Sequence, residues 1–350
     1  MDKMHKAKLF LLGIEVTLKS DDINFVNTAT GSLYFFNRET DKNQSLLAGR
    51  KLFVTYLSKK KHDNGLLKGF RKIGLNAYVK GNTYIFFDGD VVVQMEKAEN
   101  DINILAYPLI RKDIKGRIKK YIKGLALDYF LLIRKLVIFP AFYLLENGAN
   151  VFLLHGSAIE HKGEGIICAG LAGVGKTTMA VSLALDGDNG IRFLTDNFLL
   201  YDEHFVYPFP EYIRLRDDGK DIVKNYSRLG KPAVRRFGRD HYVMPDNFIS
   251  GRVKLRALFI IQLTDSYYIR ELSLDKAIDR LFLANDHVKE FHNYHYVGLV
   301  DYLEYNKVSI YKEKIRVLES LLSKGKIYEV GIVKGQDPKE WLAKVEIDAF

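Results

Sequence analysis

Residues 165–178 read GIICAGLAGVGKTT, and this stretch decides the fold class of the chain. Gly170, Gly175, Lys176 and Thr177 satisfy the phosphate-loop pattern G-x-x-x-x-G-K-[ST]. An apolar run precedes the loop and a helix-like run follows it, which is the strand–loop–helix context that this pattern requires. A glycine-rich turn that matches by chance is the alternative. We interpret the stretch as a phosphate loop in an α/β domain.

A phosphate loop turns successive backbone N–H groups towards phosphate oxygens, and the helix that follows adds a partial positive charge at its N-terminus. We expect Lys176 between the β- and γ-phosphates and the Thr177 hydroxyl on Mg²⁺. The sequence therefore predicts a nucleoside triphosphate site with ATP and Mg²⁺ as ligands. The residues expected at the nucleotide are Gly170, Leu171, Ala172, Gly173, Val174, Gly175, Lys176, Thr177 and Thr178.

Length and composition are those of a globular protein with two domains. The chain has 350 residues, of which 47% are hydrophobic and 27% charged. Its single cysteine, Cys168, excludes an intrachain disulfide and reads as a small core residue, which favours a reducing compartment. The most apolar stretch, 125–145, carries three charges and a proline, so we expect no membrane span and a cytoplasmic location.

The net charge of +10 lies entirely in the first part of the chain. Lys and Arg outnumber Asp and Glu by 25 to 15 in residues 1–150, whereas both number 28 in residues 151–350. The excess concentrates in 59–61 and 111–123. A solvated helix face is one interpretation, and a surface for nucleic acid, a phosphorylated substrate or an acidic peptide is the other.

Hydrophobic patterning divides the chain into three parts. Residues 1–110 form a β-rich α+β N-terminal domain, with predicted strands at 51–57, 77–79, 83–87 and 91–96. Residues 111–149 form a basic amphipathic helical segment, broken near Pro140. Residues 150–350 form the α/β domain, with strands at 151–154, 165–169, 191–195, 198–201, 255–263 and 327–332 and helices at 177–185, 273–283, 309–324 and 337–345.

Two polar residues next to predicted strands are candidates for the chemistry. Asp196 follows strand 191–195, nineteen residues after Thr177, where a metal ligand or a general base is expected; a turn aspartate is the alternative. His155 follows strand 151–154, Gly156 and Ser157 beside it permit close backbone approach, and the next strand runs directly into the phosphate loop. A purely structural histidine is the alternative.

Further candidates for substrate or phosphate lie in YPFPEYIRLR, residues 207–216. Glu211 is a second candidate acid, and Arg214 and Arg216 alternate along a predicted strand. Arginine forks bind phosphate oxygens bidentately, although salt bridges with the two following aspartates explain these arginines equally well. The three histidines at 287, 292 and 295 lack the spacing and companion ligands of a zinc site.

Residues 150–345 resemble the HPr kinase/phosphorylase family and the wider HPr-kinase-like phosphate-loop proteins. The resemblance rests on the motif HGSA at 155–158, on the strand and loop at 166–178, and on Asp196. It implies a kinase core of the HPr-kinase/phosphoenolpyruvate-carboxykinase type, a closed homo-oligomer, and a site for ATP, Mg²⁺ and a serine hydroxyl. By this resemblance His155 assists phosphate or proton handling, Lys176 holds phosphates, and Asp196 is a base or metal ligand.

The chain departs from that family at three points. Asp196-Asn197 stands where the family has two adjacent aspartates. The family's later glutamate-bearing signature is not recognisable, and Glu211 is only a candidate for its glutamate. The family's N-terminal domain is not evident in residues 1–150.

Three functions fit these observations. The first is an ATP-dependent kinase that transfers the γ-phosphoryl group to a hydroxyl, preferably a serine of a protein or peptide. The second is a kinase of RNA, nucleotides or small molecules that uses the basic N-terminal half. The third is a non-catalytic regulator that ATP switches and that binds an acidic partner.

Overall fold

The structure is a computed structural model. It describes residues 3–34, 49–60, 65–74, 76–88, 91–98, 100–109, 129–186, 190–215, 223, 225–236, 239–286 and 307–333. These residues form two compact units, and the division between them falls after Ala149. Both units are built on mixed sheets with helices, so the chain belongs to the mixed α/β class. Arg216, the histidines at 287, 292 and 295 and the predicted helix 337–345 lie outside the described residues.

The first unit is built on an eight-stranded sheet with the order β1-β2-β3-β8-β7-β6-β5-β4. Strands β2, β3 and β8 run parallel, and the other neighbours are antiparallel. Helix α1 (Ile23–Ser32) begins at Asp22, whose side chain accepts the backbone N–H of Asn24 at 3.0 Å. The strands are β1 (His5–Leu11), β2 (Ile14–Ser20), β3 (Lys51–Tyr56), β4 (Arg71–Gly74), β5 (Ala77–Lys80), β6 (Thr83–Asp88), β7 (Val91–Lys97) and β8 (Asp101–Pro108).

The helix before the division differs from the sequence prediction. Helices α2 (Tyr129–Ile133) and α3 (Phe139–Ala149) are joined by a π-helical turn, Arg134–Ile138, so the chain stays helical across Pro140. The wider turn accommodates a proline that lacks an N–H and whose ring clashes with the carbonyl one turn earlier. Residues 136–145 are all buried, so this part is a core helix. The prediction of an amphipathic helix with a solvated face is wrong for these residues. The lysines at 112–123 lie outside the described residues.

The second unit is built on a seven-stranded sheet with the order β12-β11-β9-β10-β16-β18-β17, and a separate small sheet has the order β13-β15-β14. The strands are β9 (Phe152–His161), β10 (Glu164–Ala169), β11 (Ile191–Tyr201), β12 (Val206–Tyr207), β13 (Ile213–Leu215), β14 (Val234–Arg236), β15 (Arg239–Tyr242), β16 (Lys254–Leu263), β17 (Tyr268–Glu271) and β18 (Lys326–Ile332). The helices are α4 (Lys176–Asp186), α5 (Leu274–Asp286) and α6 (Lys307–Leu322). None of the described helices combines the length and apolar character that a membrane crossing requires.

Central strands of this sheet are buried on both faces, which explains their nearly continuous apolar sequences. Strands β10, β16 and β18 run parallel and pack with β9 and β11 around one core. Its fully buried side chains include Leu154, Ile167, Leu199 and Leu258. This core holds the end of β10 in place, and the glycine-rich loop begins there.

Two predicted strand ends are wrong. The predicted strands 191–195 and 198–201 form one strand, β11, and the predicted strand 151–154 is only the start of β9. The two strands pair antiparallel along their whole length, from Ile191 opposite His161 to Tyr201 opposite Phe152. The hydrogen-bonded pairing continues past both candidate residues, His155 in β9 and Asp196 in β11. His155 and Asp196 therefore lie within strands and not after them.

A buried carboxylate ties the edge of the second sheet to helix α5. Glu329 of β18 is 1% exposed and accepts hydrogen bonds from Arg270 of β17, from Arg280 of α5 and, at 3.1 Å, from the Tyr268 hydroxyl. Burial alone would raise the pKa of Glu329, but these donors stabilise the carboxylate and leave its pKa below the ordinary value. The charged form of Glu329 therefore stabilises the folded unit.

We predict that Glu329→Gln lowers the free energy of unfolding at pH 7 by about 1–3 kcal/mol, because the arginines lose a charged acceptor. A carboxyl with a lowered pKa in the folded chain stabilises it above the ordinary pKa of 4.5, and this contribution disappears as the pH falls through the lower folded value. The difference between wild type and variant should therefore shrink in urea titrations below pH 4.5. Glu319→Gln, at an exposed position of α6, is the control. A Glu329→Gln protein as stable as wild type at pH 7 would contradict the prediction.

Candidate active site

The loop between β10 and α4 has the backbone shape that its glycines allow. Gly170, Gly173 and Gly175 have φ angles of +139°, +87° and +93°, which residues with side chains rarely adopt. Gly170 is also packed closely, since a Cβ atom there would overlap the carbonyl oxygen of Ile261 in β16. The loop therefore turns directly out of the sheet, with its first glycine against the neighbouring strand.

Lys176, the first residue of α4, lies across this loop. Its Nζ atom donates to the carbonyl oxygens of Gly170 and Leu171, both at 2.8 Å, and the residue is 7% exposed. A buried ammonium group needs such partners because desolvation of an unpaired charge is costly. The arrangement holds a positive charge inside the loop, at the end of α4 where the helix dipole is also positive.

Asp196 connects the loop to two strands. Its Oδ1 atom accepts a hydrogen bond from the Thr177 hydroxyl at 2.7 Å and another from the Ser157 hydroxyl at 2.8 Å. Thr177 comes from the first turn of α4, Ser157 from β9 and Asp196 from β11. The structure thus brings together Lys176, Thr177 and Asp196, which the sequence singled out, and adds Ser157.

A β-bulge sets the direction of Asp196. Phe193 lies opposite Ile159, but Thr195 lies opposite Ala158, so Leu194 is an extra residue in β11. The bulge shifts the register by one residue and sets Asp196 opposite Ser157. Without it Asp196 would pair with Gly156, and its side chain would lie on the other face of the sheet.

His155 lies two residues before Ser157 and therefore on the same face of β9. Its backbone N–H donates to the Asn285 side chain at 2.8 Å, and its Nδ1 atom lies 3.0 Å from the Asn197 carbonyl oxygen. Asn197 is buried and has a φ of +75°. The histidine is held both by its backbone and by its ring.

The remaining sequence candidates lie further along the chain. Glu211 is half-buried, and its Oε2 atom lies 3.5 Å from the side-chain Nδ2 atom of Asn197, so it lies next to the residue that follows Asp196. Arg214 is half-buried in β13, where it lies opposite His241 of β15 in the small sheet. Its proposed partner in phosphate binding, Arg216, lies outside the described residues.

Ser157 and Asn285 contact Asp196 and His155 but are not among the predicted site residues. Ser157 carries a local signal, because residues two apart in a strand share a face and His155 was already a candidate. Asn285 carries none, since it stands 130 residues from His155 at the end of α5. Only the packing of α5 against the sheet brings the two together.

The oxygens at the base of the loop fit Mg²⁺. The Thr177 hydroxyl and the Asp196 carboxylate are hard oxygen ligands within 2.7 Å of each other, and Mg²⁺ usually takes only one or two protein ligands besides water and phosphate. Within the described part of the chain, no group of three His, Cys, Asp or Glu side chains could hold a metal ion. Thr177 and Asp196 are the predicted metal ligands, and their two oxygens could hold Mg²⁺ together with water and phosphate.

Cys168 lies at the end of β10 close to this cluster but is buried in the core. Burial raises the pKa of the Cys168 thiol far above its ordinary value, and the nearby Lys176 charge offsets this only in part. Because the thiolate is the nucleophilic form, Cys168 has the properties of a core residue.

Comparisons with known proteins add little to this geometry. No family model matches the chain, and no curated protein matches it in sequence. Matching solved structures include the HPr(Ser) kinase/phosphatase from Coxiella burnetii, with a TM-score of 0.26 and 10% sequence identity. That match covers 56% of this chain and 95% of the other. At this identity and TM-score it establishes neither a family nor an activity.

We predict that Gly170→Ala destabilises the second unit by about 3 kcal/mol or more, because the new methyl group meets both a left-handed φ and the Ile261 carbonyl. Gly173→Ala is the matched control, since Gly173 also has a positive φ but has no atom within 4 Å of its Cβ position. It should cost only about 1 kcal/mol. Urea unfolding of the two variants and wild type gives the comparison. Equal losses in both variants would show that close packing against β16 does not shape the loop.

Proposed function

We propose that the chain is an ATP-dependent kinase that transfers the γ-phosphoryl group to a hydroxyl acceptor. The observation that carries this proposal is the Thr177–Asp196 pair, 2.7 Å apart, at the base of a loop that holds the Lys176 ammonium group. A nucleoside triphosphate requires backbone N–H groups, a cation and oxygen ligands for Mg²⁺. The glycine-rich loop would supply the first, Lys176 the second, and Thr177 with Asp196 the third. Mg²⁺, when bound, would neutralise charge on the phosphate oxygens.

Phosphoryl transfer demands mainly that the reacting groups are positioned and that their charge is stabilised. In the proposed reaction Lys176 holds the β- and γ-phosphates while Thr177 and Asp196 hold the metal. Two side chains on this face can accept the hydroxyl proton. One is the Asp196 carboxylate, which the sequence favours, and the other is the His155 imidazole.

The proposed acceptor is a serine of a protein or peptide. Its support is the resemblance of HGSA, the loop and Asp196 to the HPr-kinase-like proteins. A kinase of RNA, nucleotides or small-molecule hydroxyls is the second candidate, and the basic excess in residues 1–150 favours it. Incubation with γ-labelled ATP and separate pools of peptides, RNA and small molecules decides between them by which pool acquires label. ATP binding with no transfer to any pool would instead support a nucleotide-switched regulator.

We predict that Lys176→Ala abolishes phosphoryl transfer and weakens ATP binding, because the β- and γ-phosphates lose their cation. Lys276→Ala is the control, since Lys276 is an exposed helical lysine of the same unit. Transfer of label from γ-labelled ATP and calorimetric ATP binding are measured for both, with circular dichroism to verify folding. A folded Lys176→Ala protein with full transfer would eliminate the phosphate-loop interpretation.

We predict that Asp196→Asn lowers turnover by a factor of about 10² or more, with a modest loss of ATP affinity. Two roles of Asp196 separate in the Mg²⁺ dependence. If Asp196 holds the metal, the variant needs a higher Mg²⁺ concentration for half-maximal rate; if it acts only as a base, this concentration stays unchanged. Asp265→Asn, at an exposed turn, is the control. Turnover within about threefold of wild type in Asp196→Asn would rule out both roles.

A further inference from the structure

Asn197 has a strained backbone in the middle of a strand. Four non-glycine residues of the described chain have a positive φ, and the other three lie between elements, at Leu12, Asn150 and Lys162. Asn197 instead lies inside β11, next to Asp196, and is only 7% exposed. Such strain costs about 1–3 kcal/mol and persists only where the surrounding structure holds it in place, typically at functional sites.

The strained conformation directs the Asn197 carbonyl at the His155 ring. The Nδ1 atom of His155 lies 3.0 Å from this oxygen. A carbonyl oxygen only accepts hydrogen bonds, so Nδ1 must carry the hydrogen. In a neutral imidazole with hydrogen on Nδ1, the Nε2 atom is an acceptor. The backbone of Asn197 thus selects one of the two tautomers of His155.

The rest of His155 is equally constrained. Pairing of β9 with β10 ends at Ser157 opposite Cys168, so β10 offers no partner to the His155 backbone N–H. The Asn285 side chain, 8% exposed, accepts that N–H at 2.8 Å instead. The His155 backbone is therefore held just beyond the last β9–β10 pair, and its ring is held separately by the Asn197 carbonyl.

Asp196 and His155 differ in the partners they can take. The Oδ1 atom of Asp196 already accepts two hydroxyls, from Thr177 and Ser157, which suits a carboxylate that holds a metal. An unprotonated Nε2 atom does not attract phosphate oxygens, because both are acceptors. It does attract a hydroxyl, which can donate. The tautomer therefore favours the acceptor substrate over the nucleotide as the partner of His155.

We propose that Asn197 is a positioning residue that holds His155 as the Nδ1–H tautomer, and that His155 Nε2 is the proton acceptor of the transfer; this rests on the proposed kinase function. As the hydroxyl O–H bond breaks, Nε2 takes the proton and the oxygen forms a bond to the γ-phosphorus. The bond from that phosphorus to the bridging oxygen breaks, and its electron pair stays on the β-phosphate of ADP. The proton on Nε2 then passes to solvent.

The tautomer is measured directly by ¹⁵N NMR of the labelled wild-type chain, with the His155 signals assigned through their loss in His155→Gln. The spectrum is recorded near pH 9, well above the ordinary imidazole pKa of about 6.5. We expect a protonated-type shift for Nδ1 and an unprotonated-type shift for Nε2. The opposite pattern would overturn the proposal, and this measurement requires no enzymatic activity.

Two variants of Asn197 test the link to catalysis. Glycine adopts a positive φ freely, so Asn197→Gly should keep the tautomer and stay within about threefold of wild-type turnover. Valine disfavours a positive φ, so in Asn197→Val the tautomer of His155 should no longer be fixed. Turnover should then fall about 10²-fold, while ATP affinity stays unchanged. His155→Gln should lose a similar factor. Because both substitutions act through the His155 imidazole, turnover of the double variant, Asn197→Val with His155→Gln, should be no lower than that of His155→Gln alone.

Losses that multiply in the double variant would assign Asn197 a merely structural role and overturn the positioning. Full turnover in a folded His155→Gln protein would overturn this inference alone and leave the kinase function standing. Absence of label transfer by wild type to every acceptor pool would instead overturn the proposed function. Should Asn197→Val not fold, the wild-type tautomer and the Asn197→Gly protein decide the question.

Discussion

The candidate site depends on how β9 and β11 pair. One extra residue in β11, Leu194, moves the register so that Asp196 lies opposite Ser157 and on the face where α4 begins. Both Ser157 and Thr177 then donate to a single carboxylate oxygen. A bulge that re-aims a side chain beside a site is a recurrent device in sheets. Here it decides whether the acid faces the loop at all, because each single-residue shift moves a side chain to the opposite face.

The shape of the glycine-rich loop depends in turn on strand β16, against which the loop begins. Gly170 packs against the backbone of β16, and Lys176 returns two hydrogen bonds to the loop carbonyls. The shape of the loop is therefore set by the sheet and by its own helix.

Strain at Asn197 gives a physical reason for an asparagine after Asp196. Asparagine tolerates the left-handed region better than most residues, and it carries no charge into a buried position beside Glu211. Its backbone carbonyl, and not its side chain, faces His155. The residue type thus matters through the conformation that it permits.

What the sequence determined by itself is local. The helices over 177–185, 273–283 and 309–324 follow from hydrophobic period, and the structure confirms them to within a few residues. The strands predicted at 51–57, 77–79, 83–87 and 91–96 are also present, because short β-branched runs separated by turn residues are typical of strands. The sequence did not predict helix α1 or strands β1, β2, β4 and β8 of the first unit, nor strands β12, β14, β15 and β17 of the second.

Contacts between segments that are distant in sequence depend on the tertiary structure. The unbroken course of β11 arises from pairing with β9, and the same pairing places Asp196 inside a strand. Asn285 reaches His155 across 130 residues of sequence, and the buried helix before Ala149 owes its burial to its packing. Residue patterns report the preferences of one segment at a time. Register, bulges and contacts between distant segments depend on which partner each segment finds, and one chain read alone does not contain that information in local form.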